Sequence, residues 1–307
     1  MNPPTDHRPS PWHAGEKAMH ERVGVTGDIE AYGRRVIRDH MPDQHRDFYH
    51  QLPFMIVGAV DTRGRPWATL LEGPEGFVTS PDPRRLVLAT ERDPQDPVAS
   101  GLDAGGAVGL LGIELHTRRR NRMNGIVEHV AADRLEVAVE HAFGNCPQYI
   151  QKRLYTREQT VRGKQAARQD FTSLDEPLIE IIRKADTFFV ASYIEHDDGK
   201  RSVDVSHRGG RPGFIHVTAN RLTIPDYAGN LHFNTLGNLQ LNPIAGLLFV
   251  DFDSGDVLQL SGTTALVFDS PIIGAFKGAE RLWTLDVQLA VLRRRALSIR
   301  WNLQEMA

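Results

Sequence analysis

Two segments of this chain of 307 residues repeat at a fixed distance. The sequence GLLGIEL at positions 109–115 aligns with GLLFVDF at positions 246–252, a shift of 137 residues. The same shift places MNG at 123–125 over LSG at 260–262, and a nearly equal shift aligns the glycine-containing turns at 61–67 and 197–203. Three matches in one order indicate an internal duplication. A duplicated domain can bury one face against its copy, as the subunits of a homodimer do.

Short apolar runs punctuated by glycine and proline fill both halves. Such runs, rich in Val, Ile, Leu and Phe, predict β-strands joined by turns. They leave no room for the long helices that connect parallel strands, so we expect a mainly β fold of two antiparallel barrels. The predicted strands are residues 54–60, 67–71, 76–79, 86–90, 108–115 and 125–139, followed by 187–194, 202–206, 214–217, 221–224, 245–251, 257–260 and 264–268.

Helical patterns lie outside these runs. Residues 29–40, 147–157 and 176–185 each combine helical spacing of apolar residues with a capping residue or an early proline. The polar stretch 157–175 is predicted to separate the two halves. We therefore divide the chain into an N-terminal extension with a helix (1–50), a first barrel (51–160) and a second barrel (161–307).

Composition excludes several functional classes. Lys and Arg number 36 against 39 Asp and Glu, so no overall positive field attracts nucleic acid or an anionic membrane. No apolar run approaches the roughly 20 residues of a membrane-spanning helix, and residues 1–6 are polar and lead into no signal segment. A single cysteine and 13 histidines without metal-ligand spacing predict neither a disulfide nor a structural metal. We expect a cytoplasmic protein.

Six segments of the chain resemble one known family. They are WHAGE at 12–16, GRPWAT at 64–69, TRRRNRMNG at 117–125, FGNCPQYI at 143–150, DVSHRGG at 204–210 and FNTLGNLQLNP at 233–243. Together they resemble the duplicated branch of the pyridoxamine 5′-phosphate oxidase-related, FMN-binding split-barrel family. The resemblance implies tandem split β-barrels that form an intrachain pseudo-dimer, with FMN, FAD or a deazaflavin in the cleft between the copies.

The resemblance also implies a function. It indicates a flavin-dependent oxidoreductase that acts on a small molecule, as a monomeric pseudo-dimer or a homodimer. The chain shows no nicotinamide-binding domain, so its electrons are expected from a diffusing reductant or a partner reductase. Because this scaffold hosts different activities, a non-catalytic haem- or flavin-binding protein, or a haem-handling one, is the alternative.

Most candidate cofactor-binding residues lie in three segments, and Thr69 and Gln259 lie outside them. Ser206 and Arg208 precede a glycine pair that lets the backbone approach a phosphate, and four arginines within 117–122 could bind one bidentately. An ordinary hairpin turn and a solvated arginine loop are the alternatives. Segment 233–238 resembles the family's phosphate-binding segment but lacks its basic residues, and Thr69 overlays Ser206, which leaves a second site open. The predicted set is Thr69, Arg118, Arg120, Arg122, Asn124, Ser206, Arg208, Asn234, Thr235, Asn238 and Gln259.

Cys146 and His207 are the candidate catalytic residues. Cys146 precedes the predicted helix 147–157, whose N-terminus would stabilise a thiolate. A buried, unreactive cysteine is the alternative. His207 could donate a proton near a flavin or serve as an axial ligand of haem iron.

Overall fold

Antiparallel strands dominate the computed structural model, which describes residues 9–158 and 167–307. Residues 1–6 and the middle of the predicted linker 157–175 lie outside the described residues. The strands are β1 (Phe54–Val60), β2 (Pro66–Glu72), β3 (Val78–Asp82), β4 (Arg85–Leu88), β5 (Ala107–Glu114), β6 (Arg119–Ala131), β7 (Arg134–Gly144), β8 (Lys152–Arg157), β9 (Arg168–Phe171), β10 (Thr187–Glu195), β11 (Arg201–Gly209), β12 (His216–Thr218), β13 (Arg221–Tyr227), β14 (Ile244–Val250), β15 (Val257–Val267), β16 (Ala279–Arg293) and β17 (Ile299–Glu305).

The helices are short: three α-helices precede β1, and two lie between strands of the second half. The α-helices are α1 (Ala14–Val23), α2 (Thr26–Val36), α3 (Asp43–His50), α4 (Glu176–Lys184) and α5 (Asn234–Leu241), and 3₁₀ helices span Pro97–Gly101 and Pro271–Ala275. No helix among the described residues is long and apolar enough to cross a membrane.

Two sheets share one strand order. The first runs β2-β1-β5-β6-β7-β4-β3 and the second β11-β10-β14-β15-β16-β13-β12. The register repeats as well, because Leu110 pairs with Met123 on β6 while Leu247, 137 residues later, pairs with Leu260 on β15. The chain is therefore mainly β, with tandem split barrels that form an intrachain pseudo-dimer, as predicted.

The repeated MNG and LSG segments mark a β-bulge in each sheet. The register shifts between Asn124 and Gly125 in one sheet and between Ser261 and Gly262 in the other. A Cβ atom on Gly125 would lie 1.9 Å from the Ala138 carbonyl oxygen, and one on Gly262 would lie 2.1 Å from that of Asp286. Only glycine fits such a bulge, which explains why this short match survives in both halves.

Four clusters of buried hydrophobic residues lie among the described residues, and three of them are large. One fills the first barrel around Met55 and Trp67, and one fills the second around Phe188 and Trp283. The third takes residues from both halves, so the two barrels share an apolar interface. All seven residues of β1 are buried because one of its faces packs inside its own barrel and the other packs against the second barrel.

The predicted helix 147–157 is wrong. Residues 145–151 are irregular, and Lys152–Arg157 forms β8, which pairs with the C-terminal strand β17. The partner lies more than 140 positions away along the chain, so local apolar spacing carried no sign of this pairing.

Two smaller corrections concern strands: the arginines at 119–122 lie in β6 and not in a loop, and the single strand predicted at 125–139 belongs to the hairpin of β6 and β7. The domain boundaries at 50 and 160 stay a prediction.

Candidate functional site

A cavity of about 120 Å³ lies where the two barrels meet. Strand β6 of the first barrel forms one side, and β11, β13 and α5 of the second form the other, with segment 145–149 between them. Arg120 and Arg122 are two positions apart on β6, and Ser206 and Arg208 are two apart on β11. Since alternate residues of a strand point to the same side, each strand presents a pair of polar side chains.

Arg122 is the buried centre of this site. Its guanidinium donates to Asn234 Oδ1 at 2.6 Å and to Ser206 Oγ at 2.6 Å, and it forms an ion pair with Asp204 at 2.8 Å. Thr235 Oγ1 contacts Ser206 Oγ at 2.9 Å. Burial lowers the pKa of Arg122, and the Asp204 carboxylate opposes that shift. Arg122 thereby joins the first barrel to both β11 and the start of α5.

Burial keeps His207 neutral, and Arg120 sets its tautomer. Its Nη1 lies 3.0 Å from His207 Nδ1, and its Nε donates to the Cys146 carbonyl oxygen at 2.7 Å. Burial, and then Arg120 and Arg208, hold the pKa of His207 well below its usual range. The imidazole is therefore neutral at pH 7. Because a guanidinium only donates, Nδ1 is the acceptor and Nε2 carries the proton.

Arg208 forms an ion pair with Asp226. This carboxylate accepts from Arg208 Nη1 on one oxygen and from Arg281 Nη1 at 3.0 Å on the other. The cavity lining contains four arginines but only two carboxylates, Asp226 and Glu280. The arginines lie close together. Burial and then the nearby charge of Arg122 lower the pKa of Arg120 to about 10.

Several buried donors around the cavity have no partner. Arg122 Nε, His207 Nε2, Arg208 Nε and Asn145 Nδ2 make no hydrogen bond among the described residues. Unpaired buried donors are costly and rare, so four at one cavity match a missing ligand with several acceptor oxygens. The cavity is well below the roughly 300–1,000 Å³ of a typical small-molecule site. The residues present therefore fit the phosphate end of a flavin nucleotide, not the whole cofactor.

Residues 41–168 match the family model described as pyridoxamine 5′-phosphate oxidase. Over these residues the chain is similar to that family. The matched residues include the strands of the first barrel, β6 among them. The second barrel has the same strand order as the first. No curated protein matches the chain.

Solved structures resemble parts of the chain at low identity. HupZ of Group A Streptococcus is 13% identical, with 34% of this chain and 93% of that chain covered and a TM-score of 0.28. HutZ, the heme storage protein from Vibrio cholerae, is 14% identical, with 39% and 94% covered and a TM-score of 0.27. A putative pyridoxamine 5′-phosphate oxidase from Lactobacillus delbrueckii is 13% identical, with 34% and 95% covered and a TM-score of 0.28. Likeness at these TM-scores transfers no function to this chain.

The structure brings eight of the predicted site residues to the cavity. They are Arg120, Arg122, Cys146, Ser206, His207, Arg208, Asn234 and Thr235. Three others serve nearby contacts: Arg118 donates to the Ile150 carbonyl oxygen, Asn124 lies 3.5 Å from Asp204, and Asn238 donates to Ser192 at 3.0 Å. Thr69 and Gln259 lie in a separate buried network.

Cys146 lies at the cavity but not at a helix N-terminus. It is half-buried in the irregular segment after β7, and its carbonyl oxygen accepts from Arg120. The argument for a thiolate stabilised by a helix therefore falls with the helix. A catalytic role for Cys146 stays a prediction.

Sequence reasoning missed Asp226, Arg281 and Glu16 as parts of this site. Glu16 lies in the WHAGE segment, is 4% exposed, and accepts from Asn234 Nδ2 at 2.6 Å. Asn234 therefore bridges Glu16 and Arg122. This contact depends on a close crossing of α1 and α5, since a Cβ atom on Gly15 would lie 2.0 Å from the Gly237 carbonyl oxygen. Gly15 in WHAGE and Gly237 in FNTLG are the sequence features that could have indicated this crossing of α1 and α5.

Burial gives Glu16 a pH-dependent effect on stability. Burial raises the pKa of the Glu16 carboxyl from 4.5 to about 8. The folded chain therefore keeps a proton that the unfolded chain releases, so stability is full below about pH 4.5 and is lost as the pH rises through about 8. We expect the free energy of unfolding of the wild type to fall relative to Glu16→Gln over this range, by up to about 1.4 kcal/mol per pH unit.

Urea unfolding of wild type and Glu16→Gln at several pH values between about 5 and 8 measures this difference. Glu21→Gln, an exposed change on the same helix, is the control and should track the wild type. A constant difference between wild type and Glu16→Gln across the range would show that Glu16 is ionised in the folded chain.

Proposed function

We propose that the chain binds FMN with its phosphate between the two barrels and is a flavin-dependent oxidoreductase acting on a small molecule. One observation carries the phosphate assignment: Arg120 and Arg122 of the first barrel and Arg208 of the second converge on a cavity that four unpartnered donors surround. The match of residues 41–168 to the pyridoxamine 5′-phosphate oxidase model supports the cofactor class. The flavin, when bound, supplies the redox chemistry, and the protein supplies binding and electrostatics.

Each residue at the cavity has a distinct task in this proposal. Arg122 and Arg208 hold the phosphate through charge-assisted hydrogen bonds from nitrogens that have no protein partner. Ser206 and Asn234 keep the Arg122 guanidinium in place from behind. His207, protonated on Nε2, can donate a hydrogen bond at the cavity, and Arg120 keeps that tautomer. Electrons would come from a soluble reductant or a partner reductase.

The same histidine argues against the haem alternative. Iron binds the lone pair of a neutral imidazole nitrogen. Donation from Arg120 to Nδ1 places the proton on Nε2, the nitrogen that has no partner at the cavity. His207 could bind iron through Nε2 only after Arg120 had moved. The absorption spectrum of purified protein separates the two: paired flavin bands in the near ultraviolet and blue support the proposal, and a sharp Soret band supports haem.

Removing Arg208 tests the phosphate assignment. We expect Arg208→Ala to bind FMN about 10- to 150-fold more weakly, the loss typical of one charge-assisted hydrogen bond, in a fluorescence titration of apoprotein. Arg201→Ala is the matched control, because Arg201 lies on the same strand, is half-exposed and pairs with Glu195. Equal dissociation constants for Arg208→Ala and wild type would remove Arg208 from the site.

A further inference from the structure

The internal repeat places a second cleft opposite the first. Thr69 pairs with Val57 on β1 as Ser206 pairs with Val190 on β10, so these hydroxyls are equivalent. Gln259 on β15 is the counterpart of Arg122 on β6, since they pair with Leu248 and Leu111, 137 residues apart. The two-fold arrangement of a duplicated barrel therefore predicts a second anion site at Thr69 and Gln259.

A carboxylate of the chain already lies at this second position. Asp96 caps the 3₁₀ helix Pro97–Gly101, which occupies the connection that α5 occupies in the second half. Its side chain accepts from Thr69 Oγ1, from Gln259 Nε2 at 2.9 Å and from Arg293 Nη2 at 2.6 Å. Asp96 is 6% exposed. Its contact with Thr69 matches the contact of Thr235 with Ser206 in the first cleft.

The two clefts differ in charge and in hydrogen bonding. Among the described residues, none of Thr69, Asp96, Gln259 and Arg293 has a buried side-chain nitrogen or oxygen without a partner. A larger open cleft of about 1220 Å³ lies over Asp96 and Arg293, and six carboxylates against three arginines line it. A phosphate would meet repulsion there, whereas in the first cleft it meets unpartnered donors and excess positive charge.

We propose that the second cleft is a former anion site that Asp96 now fills, so that each chain binds one phosphate-bearing ligand and not two. Three changes produce this state: glutamine replaces the arginine of the first cleft, a carboxylate replaces a hydroxyl, and Arg293 neutralises that carboxylate. The stoichiometry rests on the proposed function, but the filling of the second cleft does not.

Chemical rescue tests the filling. We expect Asp96→Ala to melt at a lower temperature than wild type, because Arg293, Thr69 and Gln259 lose an acceptor. Inorganic phosphate should then raise the melting temperature of the variant by about 3 °C more than that of wild type at tenfold excess over its dissociation constant. Sodium chloride of equal ionic strength, and the double variant Asp96→Ala/Arg293→Met, should show no such gain.

The first cleft is the same in wild type and in Asp96→Ala. A difference in how phosphate raises their melting temperatures therefore reports on the second cleft alone. Equal responses of Asp96→Ala and wild type would overturn the proposal, whether or not FMN binds. Titration with FMN then distinguishes failure of the proposed function from failure of the inference that each chain binds one ligand. One FMN per wild-type chain supports both, and two per chain overturns this inference while the proposed function stands. If no FMN binds, the proposed function fails, and the phosphate rescue of Asp96→Ala still decides whether Asp96 fills an anion site.

Discussion

Replacing Arg122 by glutamine is expected to weaken FMN binding by about 100-fold or more and to lower the free energy of unfolding by about 3–5 kcal/mol. The guanidinium is buried between the barrels and is the ion-pair partner of Asp204, so its removal leaves a buried carboxylate without its cation. Glutamine is the residue that the repeat itself carries at this position, Gln259, so the change is sterically tolerated. Titration with FMN and urea unfolding measure the two effects.

Arg119 provides the matched control for this change. It lies on the same strand but is exposed, so Arg119→Gln should change stability by no more than about 0.5 kcal/mol and leave FMN binding unaltered. If Arg122→Gln were destabilised but bound FMN normally, Arg122 would be a structural ion pair only. If both properties were unchanged, the buried pair with Asp204 would not exist.

Gly246→Ala is expected to lower the free energy of unfolding by about 3 kcal/mol, because overpacking at a rigid contact forces the backbone to move. Gly246 lies on β14 where it touches the first barrel, and a Cβ atom there would be 2.2 Å from the Pro66 carbonyl oxygen. Its repeat partner, Gly109, faces β11 in the same way, with a Cβ position 2.8 Å from Val205 N. Gly109→Ala should therefore destabilise the chain as well.

Gly27→Ala controls for the change of residue type. Gly27 lies in α2 with nothing within 4 Å of its Cβ position, so alanine there should stabilise the helix by up to about 1 kcal/mol. Urea unfolding of the three variants gives the comparison. A Gly246→Ala protein as stable as the wild type would contradict the close packing of the two barrels.

The short apolar runs and the internal repeat predicted a mainly β, duplicated fold, and the family resemblance predicted the split barrels. Gly109 and Gly246 are glycines because two strands cross closely there, and Gly125 and Gly262 are glycines because each sheet bulges there. These constraints act on single residues, so they leave a visible match in the sequence. The pairing of β8 with β17 leaves none, since it joins two segments more than 140 positions apart in the sequence.

The site was predictable only in part, for the same reason. Arg122, Ser206 and Arg208 belong to strand segments whose residue types already indicate phosphate binding. Glu16 and Arg281 reach the site through packing of distant elements, and the sequence does not show which elements meet. The repeat made Thr69 and Gln259 look equivalent to site residues, and the sequence could not show that Asp96 lies between them.

Comparing FMN with riboflavin tests the central claim most directly, because the two ligands differ only in the phosphate. Apoprotein should quench FMN fluorescence with a defined dissociation constant, and riboflavin should bind at least about 100-fold more weakly, since it cannot satisfy the donors of Arg122 and Arg208. Equal affinity for the two ligands, or no binding of FMN, would contradict a phosphate held between the barrels.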